Sequence, residues 1–160
     1  DNNLTLAPGF VAPYRGGLLA LGGNDRIVGS SDAEVINGNR GNDTINGGGG
    51  NDTLYGGKEN DFLDGGDGND FISGNIGSDF LVGGKGDDSI RGGKDEDVLV
   101  GGEGNDTLIG DLGIDALAGS AGSDLFGLRI DNATTDRYGV DVILDFEKAS
   151  DRIGLIGGLA

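Results

Sequence analysis

The chain has 160 residues, 36 of them Gly and 28 of them Asp or Glu, and a net charge of −17 at pH 7. It has no Cys and no His, which removes disulfide and thiol chemistry, the commonest zinc ligand and the commonest general base. A chain this acidic repels nucleic acid and anionic membranes and attracts cations, and no apolar run approaches the roughly 20 residues of a membrane span.

Residues 1–19 supply Leu4, Leu6, Phe10, Val11, Tyr14, Leu18 and Leu19, interrupted by Pro8 and Pro13. They read as an N-terminal cap over a repeat array, with a short partner-binding segment as the alternative. No basic-then-apolar leader is visible and the chain begins at Asp1, so it reads as part of a larger protein.

From Ala20 to Gly127 a nine-residue unit repeats twelve times without insertion, most cleanly at Gly101–Ile109. Its sixth place carries Asp25, Glu34, Asp43, Asp52, Asp61, Asp70, Asp79, Asp88, Asp97, Asp106, Asp115 and Asp124. Its eighth carries Ile27, Ile36, Ile45, Leu54, Leu63, Ile72, Leu81, Ile90, Leu99, Leu108, Leu117 and Phe126. Glycine content and charge alone would suggest disorder, but a linker has no reason to keep two columns in phase. The first two units and the last two are worn; those at 47–55, 65–73, 83–91 and 101–109 have Gly at places one, two and four.

Residues 128–160 leave the frame. Val140, Val142, Leu144 and Phe146 alternate with Asp141, Ile143 and Asp145, which predicts a strand. Glu147 to Asp151 then read as a turn and Arg152 to Ile156 as a return strand. The segment is expected to be a C-terminal β cap and the start of a secretion-signal region.

Within a unit, places seven to nine predict a three-residue strand whose middle side chain points inward. Places one to six must reverse the chain. Gly at places one, two and four, with Asn at place five (Asn42, Asn51, Asn60, Asn69, Asn105), is expected to supply the positive φ this needs. Two units then close a coil of 18 residues, and coils stack by parallel pairing about 4.8 Å apart. Place-six carboxylates of odd and even units line opposite edges. At that spacing they repel unless a cation lies between them. Two carboxylates and several turn carbonyls suit calcium, which takes six to eight oxygens in flexible geometry, better than magnesium. The alternative is a metal-free turn that merely favours Asp, but such a turn would also admit Asn, Ser or Lys at place six, and none occurs there.

The unit Gly-Gly-x-Gly-x-Asp-x-apolar-x resembles the calcium-binding nonapeptide of repeats-in-toxin (RTX) proteins over about two thirds of the chain. Asp141-Val142-Ile143-Leu144-Asp145-Phe146, followed by Asp151-Arg152-Ile153, resembles the segment after such repeats in bacterial proteins exported by type I secretion. The resemblance implies an all-β fold, a right-handed parallel β-roll of 18-residue coils with short caps. It implies calcium between loops two units apart, held by carbonyls at places two and four of one loop, carbonyls at places one and three of the next, and both place-six carboxylates. Carried onto this chain, the place-one carbonyls are those of Gly47, Gly56, Gly65, Gly74, Gly83, Gly92, Gly101, Gly110 and Gly119. At place two they are those of Asn39, Gly48, Gly57, Gly66, Asn75, Gly84, Gly93 and Gly102. Place three offers Gly49, Lys58, Asp67, Lys85, Lys94 and Glu103, and place four Gly41, Gly50, Gly68, Gly77, Gly86 and Gly104. One implied cage is Gly66, Gly68, Asp70, Gly83, Lys85 and Asp88, with Lys85 giving only its carbonyl. Asp32, Glu59 and Asp95 depart from Gly at place four, and Glu34 departs from Asp at place six. Twelve units allow ten same-edge pairs, and six to ten ions are expected.

The function so implied is a non-enzymatic calcium-binding module, secreted or at a bacterial cell surface. It folds on export and stabilises a larger extracellular protein or assists its secretion. An adhesin or surface-layer segment, with an extracellular glycan or protein partner, is the alternative. So is an ancillary module of a secreted protease, lipase or polysaccharide-modifying enzyme. Weaker signals carry less. Gly57-Lys58, Gly84-Lys85 and Gly93-Lys94 lack the Ser or Thr of a phosphate loop, and the Asn-Asp-Thr sequons follow from the repeat itself. Phe62, Phe71 and Phe80 at place seven could form an exposed aromatic patch. Place three is too irregular for an ice-binding array.

Overall fold

The computed structural model describes residues 1–9, 18–129 and 141–156. Among them there is no helix, hence none long and apolar enough to cross a membrane. The strands are β1 (Asn3–Thr5), β2 (Leu18–Leu19), β3 (Arg26–Val28), β4 (Val35–Arg40), β5 (Thr44–Gly49), β6 (Thr53–Lys58), β7 (Phe62–Asp67) and β8 (Phe71–Ile76). They continue as β9 (Phe80–Lys85), β10 (Ser89–Lys94), β11 (Val98–Glu103), β12 (Thr107–Leu112), β13 (Ala116–Ala121), β14 (Leu125–Arg129), β15 (Val142–Ile143) and β16 (Arg152–Ile156).

Odd-numbered strands form one eight-stranded parallel sheet in chain order, and even-numbered strands form a second. In the repeat the register is 18 residues: Ile45 pairs with Leu63, and Leu63 with Leu81. Two units therefore make one coil of a β-solenoid, as the period predicts. From Ile27 to Phe126 every place-eight side chain is 0–1% exposed, so one apolar side chain per half-coil fills the space between the sheets.

The strands are longer than three residues. From β4 to β13 each has six, covering places seven to nine and places one to three of the next unit. Place one is buried in all of them. A glycine there turns inward without needing space, so the backbone stays extended past the point where the apolar pattern stops. The ladder skips that place: Arg91 pairs with Ile109, and Gly93 with Asp111.

The expected return strand near the C-terminus is not a hairpin arm. β15 pairs in parallel with β13, and β16 in parallel with β14, so each sheet gains one strand. Asp141-Val142-Ile143 and Asp151-Arg152-Ile153 keep the Asp-x-apolar order of the repeat and fit the same ladders. At the other end β1 pairs with β3, β2 pairs with β4, and Leu6 is buried against the core. Phe10, Val11, Pro13, Tyr14 and Val140 lie outside the described residues.

Neighbouring units sit on opposite sheets, so Phe62, Phe71 and Phe80 do not form one patch. Phe62 and Phe80 stack at 5.5 Å on one sheet, whereas Phe71 lies on the other beside Tyr55, at 6.0 Å. Leu63→Ala empties an inward position and is expected to lower the stability of the calcium-loaded protein by about 2–5 kcal/mol. Phe62→Ala, on the outer face, should cost less. Thermal denaturation in excess calcium checks both.

Candidate metal centre

Each chain reversal ends on a buried carboxylate. The eleven aspartates of place six are 1–4% exposed and Glu34 is 7% exposed. One oxygen has a clear task. The N–H of each place-six residue donates to the aspartate Oδ1 one coil later, as from Asp25 to Asp43, Asp52 to Asp70 and Asp70 to Asp88, at 2.7 Å. These bonds join Asp25, Asp43, Asp61, Asp79, Asp97 and Asp115 along one edge. Glu34, Asp52, Asp70, Asp88, Asp106 and Asp124 form the other column. The second oxygen, Oδ2, has no hydrogen-bond partner in any of the eleven aspartates. A buried anionic oxygen without a partner is costly, and a repeated column of them has the chemistry to hold cations.

Place-one glycines locate that oxygen. A Cβ on Gly65 would overlap Asp70 Oδ2 and fall 2.6 Å from the Gly83 carbonyl oxygen of the next coil. The same pair of oxygens crowds Gly38, Gly47, Gly56, Gly74, Gly83, Gly92 and Gly101. Oδ2 therefore faces the gap toward the following coil. None of these glycines has positive φ, so glycine at place one is required by contact rather than by backbone conformation.

Positive φ belongs to places two and four, as at Gly66 (102°) and Gly68 (139°). Asn39, Asn75, Asp111 and Ser120 adopt it at place two. Glu59 and Asp95 adopt it at place four, so these departures from Gly keep the turn. Asp32 does not. Place-two and place-four carbonyls face the coil above: a Cβ on Gly84 would overlap the Gly66 carbonyl oxygen, and one on Gly86 that of Gly68. The Asn at place five also departs from expectation. It takes no positive φ; instead its Oδ1 accepts the place-five N–H of the next coil, as from Asn60 to Asn42 and Asn69 to Asn51, both at 2.9 Å.

At the turn pair 65–70 and 83–88, the carbonyls of Gly66, Gly68 and Gly83 thus meet Asp70 Oδ2 and the Asp88 carboxylate between coils. The Lys85 carbonyl joins them by accepting the Gly68 N–H at 2.8 Å. The Asp67, Lys94 and Glu103 carbonyls accept place-four N–H groups in the same way. Among the described residues no three carboxylates converge. The donor set is two carboxylates supplemented by carbonyls, all oxygen, and it fits calcium.

Glu34 is the exception. Its longer side chain turns back within its own loop, where its oxygens accept the Ser30 N–H and hydroxyl. Asp141, Asp145 and Asp151 were not anticipated as part of the columns. Asp141 and Asp151 accept the N–H groups of Asp115 and Asp124, and Asp145 accepts those of Gly119 and Ser120. The Asp-x-apolar triads at 141–143 and 151–153 were the available signal.

Burial, reinforced by neighbouring carboxylates and opposed by backbone N–H donors, pushes these carboxyl groups up. Asp52, Asp79, Asp106 and Asp115 reach about 6, Asp61 and Asp88 about 7, and Asp97 about 8. A group raised in the folded state contributes stability that is full below the unfolded value, about 3.9, and is lost as pH rises through the folded value. In chelator, acidification from pH 8 toward 5 should therefore increase β structure by circular dichroism. Because the protonated acids cannot bind metal, calcium affinity measured by calorimetry should fall from pH 8 to pH 6. Gly65→Ala should weaken calcium binding measured in the same way, whereas Gly49→Ala, whose Cβ would find nothing nearer than 3.7 Å, should not.

A family model described as the RTX calcium-binding nonapeptide repeat, in four copies, matches residues 19–54, 28–63, 46–81 and 73–108. No curated protein matches the chain. These matches span more than half of the chain and coincide with the coils whose buried aspartates stack in two columns, so the chain belongs to the RTX calcium-binding nonapeptide repeat family.

Proposed function

We propose that the two carboxylate columns hold calcium between successive coils and that the chain folds as they fill. The observation that carries this reading is the set of eleven buried aspartates whose Oδ2 atoms lack partners. A bound calcium ion brings two positive charges and accepts six to eight oxygen ligands. The cage at Asp70 and Asp88, with the carbonyls of Gly66, Gly68, Gly83 and Lys85, is the pattern for the rest. Five junctions on the Asp25–Asp115 edge and four on the Asp52–Asp124 edge have aspartate on both sides. Nine ions at two charges each would bring +18 against −17. The junction of Glu34 with Asp52 is left out, because Glu34 is engaged by Ser30.

Each interior aspartate serves two junctions, Oδ1 toward the preceding coil and Oδ2 toward the following one. Filling one junction therefore orders a residue needed by its neighbour, and folding should be steep in calcium. Extracellular modules bind calcium with dissociation constants on the order of 10⁻⁴–10⁻³ M. At that affinity the columns stay unfilled and mutually repulsive where calcium is scarce. We read the chain as a non-enzymatic module of a larger bacterial protein, exported unfolded and ordered outside the cell, which it stabilises. The family is a structural calcium-binding repeat, and among the described residues every deeply buried carboxylate belongs to one of the two columns.

In chelator at neutral pH the far-UV circular dichroism should be largely that of a disordered chain, with β structure appearing on calcium titration. A full β signal in chelator would defeat the reading. Asp88→Asn, which touches two junctions, should lower the bound-ion count by one or two. Asp87→Asn should leave it unchanged, because Asp87 Oδ1 accepts the N–H and the side-chain amide of Asn105 and an amide oxygen can do the same.

A further inference from the structure

The Asp25–Asp115 edge does not stop with the nonapeptide frame. The pairing of Ala116 with Val142 and Leu117 with Ile143 sets Asp141 one coil beyond Asp115. The Asp115 N–H donates to Asp141 Oδ1 at 3.2 Å, the bond that links place-six residues throughout the repeat. Asp115 is 1% exposed and its Oδ2 has no partner. That oxygen lies against Gly110, as Asp70 Oδ2 lies against Gly65. The Asp141 carboxyl is close enough to add to the burial that pushes the Asp115 carboxyl up. Both cannot be ionised at that distance without a cation between them.

We propose that Asp115 and Asp141 hold a further divalent cation, calcium by their donor chemistry, in a site completed by a residue outside the nonapeptide repeat. This rests on reading the columns as calcium-binding. The carbonyls of Asp111 and Gly113 occupy places two and four of the same coil, where interior coils direct their carbonyls into the junction. The other edge ends differently. Asp151 Oδ1 accepts the Asp124 N–H at 3.1 Å, and its Oδ2 accepts the Glu147 N–H at 2.7 Å. Asp124 Oδ2 is likewise without a partner, but both oxygens of Asp151 are taken up by backbone N–H groups.

The test counts ions on the whole chain by native mass spectrometry in calcium, for the wild type, Asp141→Asn and Asp145→Asn. Asp141→Asn should hold one ion fewer, with faster hydrogen exchange at 142–143 and unchanged protection in the central coils. Asp145, whose two oxygens accept the Gly119 and Ser120 N–H groups, controls for simple fraying, and Asp145→Asn should keep the full count. An unchanged count in Asp141→Asn, or an equal loss in both variants, overturns this site while leaving the column reading intact. A wild-type chain that binds no calcium overturns both.

Discussion

A carboxylate with one oxygen committed to the backbone and the other facing the next coil is the constraint on which this fold depends. The parallel ladders fix the coil spacing, so the aspartates cannot separate to relieve their repulsion. They are also buried, so water cannot relieve it. The apolar interior cannot compensate, because only one side chain per nine residues points inward. Neutralisation must come from protons or from metal. Burial and neighbouring carboxylates push the carboxyl groups of Asp61, Asp88 and Asp97 up, which favours protons there when no cation is bound.

Glycine meets two separate demands in this arrangement. At places two and four the chain needs positive φ, which Asn and Asp tolerate, and Asn39, Asn75 and Asp111 duly appear there. At place one the φ is ordinary, but any Cβ would displace the adjacent carboxylate. From the second unit onward place one is Gly in every unit, whereas places two and four vary. That difference follows from contact being less forgiving than conformation.

The coil length and the two acidic columns could be read from the sequence, because places six and eight never lose their character. Strand length could not. The inward glycine at place one leaves no apolar signal, although the backbone remains extended through Gly47 or Gly92. Positive φ was expected at place one and place five because a glycine does not announce whether it relieves backbone strain or a contact. The C-terminal strands were misread for another reason. Asp141 follows Asp115 by 26 residues and Asp151 follows Asp124 by 27, where the repeat would give 18, so the spacing hid that both extend a column. The phenylalanines show the converse error: adjacency in sequence was taken for adjacency in space, but successive units face opposite directions.

The hydrogen bonds at places five and six run in opposite senses. An aspartate reaches back to the coil before it, whereas an asparagine receives from the coil after it. A stack built this way has a head and a tail that are chemically distinct. Coils could be removed or duplicated in the middle, eighteen residues at a time, without changing the pattern of place-six hydrogen bonds. The final coil, however, presents place-six N–H groups that no further repeat can receive, and here Asp141 and Asp151 from outside the repeat accept them. Repeat number is therefore free to drift in evolution, while the segment that follows the last repeat is not.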